Sequence, residues 1–522
     1  MNPRHRRGVL RRVVLLTTIA LLAALSVAPV GAVDSLDGNP PPSQPGVSGE
    51  VKPQPPLVQQ WQNNRLRAAQ IAVGNQIKGQ PRRGIIQIPS GEWVEYDLEG
   101  TDHIVTLLAE FSDPAHGQIP EPDRRTDNST YWVPNFDRQH YEDMLFAPGG
   151  GSYGMPSMRD YYLEQSSGRY TVEGQVSEWV TINQPESAFG ADSATGTDDA
   201  NGPVFRIVKA ALDATVGQDI GVDWSQADQW DRYDCDTDGN FNEPDGYVDH
   251  FQIIHAGEGQ EAGGGAQGSD AIWSHRWYAN FGAIGAEGPV TCPLGGYQVP
   301  GTDLWVGDYT IEPENGGVGV FAHEFGHDLG LPDLYDTAGG DNGTGYWTLM
   351  SAGSWPSIDP NSIGTSPVHM GAWEKLMLGW LDYAIATAGE DSTTTIGPAE
   401  GASTSGAQAL ITVLPPYDYT TELVAPEGDD PYYYYSGSGD DLDVTMRRAL
   451  DAPLVADTTL TFRAWYDIEP DWDYAYVEYS TDGGATWQQA NGNLSTDTDP
   501  NGQNFGHGIT GSSGGWVDGS YT

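Results

Sequence analysis

Two histidines and a glutamate stand close together in the middle of the chain, in a pattern that could form a hydrolytic metal site. His323 and His327 are four residues apart, so on a helix they lie on one face and can bind one metal ion through both imidazoles. Glu324 follows the first histidine, where it can take a proton from a water molecule at the metal. The spacing predicts zinc held by His323 and His327, with Glu324 as the catalytic base.

A hydrolytic zinc site needs a third protein ligand and a coordination position that stays open for water. Gly330 can adopt the left-handed conformation that ends a helix and turns the chain back, so Asp333 can return to the metal. Asp336 could take its place, and so could Glu374, which lies on a helical pattern over residues 367–381. We expect Asp333 to be the third zinc ligand.

A calcium site is predicted upstream, in the acidic segment DRYDCDTDGNFNEPDGYVD over residues 231–249. Oxygen donors fall at positions 1, 3, 5, 7 and 12 of a twelve-residue calcium loop, and Gly239 takes the turn at position 6. The predicted ligands are Asp234, Asp236, Asp238, Asn240 through its backbone carbonyl, and Asp245. Because position 12 usually holds a glutamate rather than an aspartate, Asp249 could join them.

Several segments resemble the immune inhibitor A family of secreted bacterial metalloproteases. The zinc motif HEFGHDLGLPDLYD begins at His323, and SMRDYYLEQSSGRYTVEG from Ser157, GDYTIEPENGGVGVFAHEFGH from Gly307 and YWTLMSAGSW from Tyr346 are also similar. HExxHxxGxxD followed by a methionine turn resembles the metzincin clan of zinc endopeptidases. The resemblance implies that Met350 is the methionine of that turn and packs beneath the metal.

The resemblance leaves two points open. Many metzincins have histidine as the third ligand, so the role of Asp333 depends on its spacing and on the clan members that use aspartate. Some metzincins also carry a tyrosine two places after the methionine that stabilises the oxyanion, but no tyrosine stands there after Met350. Tyr346, which precedes the methionine, is a candidate substitute.

The elements that position these residues indicate an α+β fold class, with a metzincin-like mixed α/β catalytic domain followed by an all-β, jelly-roll-like sandwich. Helical patterns and short apolar strands intermix over residues 101–390, and alternating strands dominate residues 391–522. Because the pattern of a further strand begins just before residue 522, we expect the sandwich to be truncated. Ser480 to Trp487 matches a single sialidase-type hairpin box, which predicts a tight turn rather than a glycosidase.

The N-terminus is typical of an exported precursor. Residues 1–32 combine five arginines, an apolar run over residues 13–28 and a small-residue cleavage site, so they form a predicted signal peptide. The run is shorter than the roughly 20 residues of a spanning helix, so we expect no stable membrane insertion after the signal is removed. Residues 33–100 are a predicted pro-segment, since Arg82 and Arg83 look like exposed protease sites. Latency would come from a carboxylate or steric cover, because no cysteine precedes Cys235.

The charge of the chain narrows the range of partners. The formal net charge is −49, which repels nucleic acid and anionic lipid and suits divalent cations. In an oxidising extracellular compartment Cys235 and Cys292, the only two cysteines of the chain, are expected to form a disulfide.

We therefore predict a secreted, zinc-dependent and calcium-stabilised endopeptidase, made as a zymogen, that cleaves extracellular proteins or peptides. Its β-domain could contact surfaces or glycans. The alternative is a secreted adhesion or carbohydrate-binding protein whose metalloprotease-like domain is inactive.

Overall fold

The computed structural model describes residues 56–127, 130–192, 198, 203–336, 343–358, 363–400, 406–415, 423–427, 431–438, 444–450, 458–481, 486–501 and 503–522. The predicted signal peptide, the start of the predicted pro-segment and the centre of the hairpin box at residues 482–485 lie outside the described residues. Within them, no helix is both long and apolar enough to cross a membrane.

The helices are α1 (Pro56–Ile77), α2 (Arg138–Leu145), α3 (Met158–Gln165), α4 (Ser187–Gly190), α5 (Arg206–Ala214), α6 (Val318–Asp328) and α7 (Ala372–Met377). The strands are β1 (Ile85–Gln87), β2 (Trp93–Glu95), β3 (Gly100–Phe111), β4 (Tyr170–Ile182), β5 (His250–His255), β6 (His275–Tyr278), β7 (Tyr297–Gln298), β8 (Trp305–Val306), β9 (Asp308–Pro313), β10 (Tyr383–Thr387), β11 (Ala409–Val413), β12 (Leu460–Ala464), β13 (Asp467–Ile468), β14 (Glu478–Tyr479), β15 (Gln488–Gln489), β16 (Gly511–Ser512) and β17 (Val517–Tyr521).

A five-stranded mixed sheet in the order β4-β3-β5-β9-β6 forms the centre of the first unit. Strands β4, β3, β5 and β9 run parallel, and β6 pairs antiparallel with β9 at the edge. Short apolar runs such as the one in β3 are buried on both faces, as parallel strands usually are. The sequence prediction of a mixed α/β catalytic region is therefore confirmed at this level.

Side chains of the central sheet alternate between two hydrophobic cores. Ile104 and Leu108 of β3 face the core that contains Phe321 and Phe325 of α6. Their neighbours Val105 and Leu107 face a second core, which contains the buried side chains of α5. Helix α6, which carries the predicted zinc motif, is thus packed against one face of the sheet through its buried apolar side chains.

The N-terminal segment packs into the same core as α6. Small side chains of α1, such as Ala68 and Ala72, are buried there. Arg65 is also buried and donates hydrogen bonds to the backbone carbonyls of Glu95, Tyr96 and Met377. The segment is therefore part of the packed unit, and its removal during maturation stays a prediction.

The expectation that Arg82 and Arg83 are exposed is wrong. Both side chains are half-buried because both pair with Asp382, and Arg82 also donates to the carbonyl of Leu381. A protease would have to displace these contacts to cut at this pair of arginines.

The chain separates into two compact units, with the division between Pro415 and Pro416. The first unit includes β11 because this strand pairs in parallel with β10. The described part of the second unit is β-rich and pairs β12 with β17, β13 with β16, and β14 with β15, all antiparallel. A jelly-roll-like arrangement of this unit stays a prediction.

Candidate active site and metal centres

Helix α6 presents the two predicted histidine ligands on one face. Their Nε2 atoms lie 3.2 Å apart, at a spacing of four residues. His323 is almost fully buried, and His327 retains 13% side-chain exposure. The helix therefore aims both imidazoles at one point, as its period of 3.6 residues requires.

Backbone carbonyls determine which nitrogen of each imidazole carries the proton. His323 Nδ1 lies 2.8 Å from the carbonyl oxygen of Leu349, and His327 Nδ1 lies 2.7 Å from that of Leu331. Because a carbonyl oxygen only accepts, each Nδ1 must donate a hydrogen. In the neutral imidazoles the lone pair is then on Nε2, the atom that faces the other histidine.

The chain returns to the histidines through a sharp turn after α6. Gly330 has a φ of 97°, its N–H donates to the carbonyl of His327, and the N–H of Leu331 donates to that of Gly326. These two bonds form a Schellman motif, which the left-handed freedom of glycine allows. The turn brings the carboxylate of Asp333 back toward α6, as the sequence predicts.

Asp333 completes a group of three metal donors. Its Oδ1 lies 3.3 Å from His323 Nε2 and 3.2 Å from His327 Nε2. Oδ1 is buried and makes no standard hydrogen bond within the described structure. Two imidazole lone pairs and a carboxylate oxygen therefore converge on one point, and this donor set fits zinc.

The electrostatics of this group favour positive charge at the same point. Burial lowers the pKa of His327, but the Asp333 carboxylate raises it further, so it ends above its ordinary value. Burial opposes ionisation of Asp333, yet the two histidines hold its pKa well below the usual range.

Glu324 is buried beside the three donors. Burial raises its pKa to about 8, while the adjacent His323 acts to lower it and the charge of Asp333 to raise it. A carboxylate with a raised pKa in a metal site suits a group that must both accept and release a proton near neutral pH. This environment is consistent with the predicted role of Glu324 as the catalytic base.

Met350 packs against the helix between the two histidines. A Cβ atom built on Gly326 would lie 2.6 Å from the Met350 sulfur, so the methionine side chain packs directly on the backbone of α6 at this glycine. The carbonyl of Met350 accepts a hydrogen bond from the N–H of Leu334, which adjoins Asp333. Residues 349 and 350 thus support both His323 and the segment that carries Asp333.

The alternative ligands lie elsewhere. Glu374 accepts hydrogen bonds from the Thr348 hydroxyl and from the N–H of Gly371 at the start of α7. Asp336 is exposed and does not join the three-donor group of the described residues. Tyr346, the candidate for stabilising the oxyanion, has 57% of its surface exposed to solvent.

The sequence reasoning missed Tyr335. Its hydroxyl bonds with Asp333, and the charge of Glu324 acts on it; burial raises its pKa well above the ordinary value. The sequence did contain a signal for Tyr335, which stands two residues after Asp333. The turn at Gly330 that brings Asp333 back toward α6 also brings Tyr335 back.

The acidic loop brings together only part of the predicted calcium set. Carboxylate oxygens of Asp234, Asp236 and Asp238 lie within 4.8 Å of one another. Asp236 also belongs to a second such group, with Asp231 and Glu243, neither of which was predicted. These two groups share an all-oxygen donor set that fits calcium.

Asp245 and Asp249 do not belong to either of these groups. The side chain of Asn240 donates to Glu243, a member of the second group, and the predicted role of its backbone carbonyl stays a prediction. Asp245 accepts the N–H of Tyr247 and lies beside the two cysteines rather than with Asp234. Asp249 accepts the N–H groups of residues 229 and 230.

Cys235 and Cys292 are bonded to each other, across 57 residues of sequence. The bond tethers the acidic loop to the segment that precedes β7. Closing a loop of this length would restrict the unfolded chain.

Comparison with known proteins gives two family matches. Residues 92–381 match the model of the immune inhibitor A peptidase M6 catalytic domain, and residues 392–522 match the immune inhibitor A-like MAM domain. The first match alone covers more than half of the chain and includes all the donors of the zinc group.

Two curated relatives are similar over much of the chain. Immune inhibitor A of Bacillus thuringiensis subsp. alesti is 38% identical over 405 residues, which are 73% of this chain and 56% of the relative. The pre-pro-metalloprotease PrtV of Vibrio cholerae serotype O1 is 33% identical over 476 residues, which are 87% of this chain and 48% of the relative. The chain thus spans about half the length of the curated relatives that it matches.

Proposed function

Because this chain belongs to the immune inhibitor A peptidase M6 family, we propose that it is a secreted zinc-dependent endopeptidase that hydrolyses peptide bonds of extracellular proteins. The observation that carries the proposal is the convergence of His323, His327 and Asp333 beside the buried Glu324. A helix whose two histidines were incidental would not need a third donor at the same point.

His323, His327 and Asp333 would hold the zinc ion. When bound, zinc would polarise the scissile carbonyl and acidify a water molecule. Glu324 takes the proton of the attacking water and passes it to the nitrogen of the leaving amine. Leu349 and Leu331 keep the imidazoles oriented through their carbonyls, and Met350 supports the helix from below.

Metzincin-like architecture of the catalytic domain is part of the proposal. Three observations support it: the mixed sheet with an antiparallel edge strand, the turn at Gly330 that returns Asp333, and the contact of Met350 with α6.

Calcium binding to the acidic loop is also proposed. Asp231, Asp234, Asp236, Asp238 and Glu243 supply the oxygens, with Asp236 shared between their two groups. The inclusion of Asp231 and Glu243 revises the predicted set, in which Asp245 occupied the last position.

Secretion, synthesis as a zymogen and glycan or surface contact by the β-rich unit are further proposals. The apolar N-terminal run and the disulfide support export. Exposed aromatic side chains such as Tyr434 and Phe505 support contact with sugars or surfaces. The alternative of an inactive domain with an adhesive role is not favoured, since both histidines, Glu324 and Asp333 are all present and convergent.

The decisive experiment is casein hydrolysis by the Glu324→Gln variant. We expect it to bind zinc as the unmodified chain does, while kcat falls by about 10²–10⁴-fold because the proton acceptor is lost. A zinc chelator should abolish the activity of the unmodified chain. Glu178→Gln, at an exposed glutamate, is the matched control and should be fully active. Full activity of Glu324→Gln would overturn the mechanism.

A further inference from the structure

A buried cluster of charges lies behind the C-terminal turn of α6. Asp328 follows His327 directly, and only 4% of its side chain is exposed. Arg232 donates to both oxygens of its carboxylate, each at 3.0 Å. This is a bidentate pair, the strongest and most directional kind of side-chain ion pair.

Further groups hold the same pair in place. The His250 imidazole contacts Asp328, and Arg276 Nε lies 3.5 Å from it. Arg232 also lies 3.0 Å from Asp308 of β9. The carboxylate beside His327 is therefore fixed to the central sheet from several directions, by charges that are almost fully shielded from solvent.

The guanidinium of Arg232 also lies over two indole rings. Its carbon is 5.2 Å from the ring centre of Trp61 and 4.8 Å from that of Trp230. Trp61 belongs to α1, and a Cβ atom on Gly330 would lie 2.8 Å from its ring. Arg232 thus contacts the end of α6 through Asp328. It also contacts α1, whose Trp61 packs on the turn that leads to Asp333.

We propose that Arg232 is a positioning residue for the zinc site, which holds the last turn of α6 through Asp328 and, while the predicted pro-segment is still attached, the following turn through Trp61. It would thereby set where His327 and Asp333 stand relative to His323. Helix ends are the least constrained part of a helix, and metal ligands must be placed within a few tenths of an ångström. This inference rests on the proposed zinc site.

Arginine is specifically required for this arrangement. A lysine would retain the charge, but it could neither form the bidentate pair with Asp328 nor stack its head on two indoles. If the cluster merely stabilised the fold, the effect of such a change would be on unfolding, with no separate effect on zinc.

The test uses the full chain with Arg232→Lys. We expect zinc affinity, measured by competition with a chromophoric chelator, to fall about 10–100-fold, as for loss of other outer-shell partners. The unfolding temperature of the zinc-free protein should fall as well, because a buried ion pair is weakened, so zinc affinity is measured at a temperature at which the variant is folded. Arg138→Lys, at a half-exposed arginine paired with Glu142 on α2, is the matched control and should change none of these.

A second variant covers the case in which Arg232→Lys does not fold. Trp61→Phe retains an aromatic ring at Gly330 but reduces the surface under the guanidinium, and we expect a smaller loss of zinc affinity in the same direction. Unchanged zinc affinity in a folded Arg232→Lys, or in Trp61→Phe when the first variant is unfolded, would overturn the inference. Zinc content of the unmodified chain is measured first, so that failure of the zinc site itself is recognised separately.

Discussion

At the scale of single residues, the proposed zinc site depends on which nitrogen of each histidine carries the proton and which carries the lone pair. The carbonyls of Leu349 and Leu331 keep a hydrogen on each Nδ1, which leaves both Nε2 atoms to face Asp333. The carboxylate of Glu374 does not belong to this group, because it caps α7 and accepts the Thr348 hydroxyl.

The identity of the third zinc ligand is therefore testable by two isosteric changes. We expect Asp333→Asn to lower zinc affinity by more than about 100-fold, beyond the usual effect of an outer-shell change. Glu374→Gln should retain zinc and lose only some stability. Metal content by mass spectrometry in a zinc-buffered solution measures both. Zinc loss confined to the Glu374 variant would show that the assignment is wrong.

At the scale of elements, buried polar groups connect the loops around the central sheet. Glu186, which immediately precedes α4, is fully buried and accepts the N–H of Ile272. His255, the last residue of β5, lies 3.4 Å from it. Burial raises the pKa of Glu186 to about 8 and lowers that of His255 to about 4, so both groups are neutral at pH 7.

These two pKa values predict a pH dependence of stability. The folded state retains a proton on Glu186 that the unfolded chain releases above its ordinary pKa of 4.5. The contribution of Glu186 to the free energy of unfolding should therefore fall as pH rises from about 4.5 to 8, by roughly 1.4 kcal/mol for each pH unit. His255 has the opposite effect between about 4 and 6.5, because only the unfolded chain binds its proton there, so the two contributions nearly offset each other below pH 6.5 and the net fall is expected between about 6.5 and 8. In Glu186→Gln this loss is absent, so its unfolding temperature relative to the unmodified chain should rise across that range.

The control for this prediction is Glu178→Gln, because this glutamate is 64% exposed at its side chain. Its unfolding temperature should follow that of the unmodified chain at every pH. An equal pH profile for Glu186→Gln and the unmodified chain would contradict the assignment of a protonated Glu186.

At the scale of the whole molecule, the folded chain must overcome the repulsion among its excess negative charges. The net charge of −49 favours expansion through self-repulsion, and cations bound only by the folded chain oppose it. Burial raises the pKa of Asp231 to about 6, with the charges of Asp234 and Asp236 adding to the effect. The acidic loop is therefore costly to ionise unless a cation is present.

Calcium at 100 times its Kd should raise the unfolding temperature of the chain by roughly 5–10 °C. Saturation at 100 times Kd contributes about 2.7 kcal/mol, and about 1 kcal/mol moves the midpoint of a large domain by roughly 2–4 °C. Asp236→Asn, at the carboxylate that both groups share, should remove most of the rise. Calorimetry at constant ionic strength excludes general screening, and Asp213→Asn, at an exposed aspartate paired with Lys209, is the control. An undiminished calcium effect in Asp236→Asn would contradict the site.

Much of the zinc site was predictable from the sequence because its geometry is local. The spacing of His323 and His327 places them on one helix face, and Gly330 supplies the turn that returns Asp333. The helices and the strands of the central sheet were largely predictable for the same reason, since periodicity along the chain determines which side chains are buried.

Contacts between distant segments were decided only by the tertiary structure. The sequence left Glu374 open as a ligand and placed Asp245 in the calcium loop, but packing puts Glu374 at the start of α7 and Asp245 beside the disulfide. The pairing of Arg232 with Asp328 joins residues that are 96 positions apart, and no local pattern indicates it. The direction in which a helical side chain points follows from the local sequence, because the helix has a fixed period. The partner that this side chain meets from a distant segment depends on how the sheet and the helices pack.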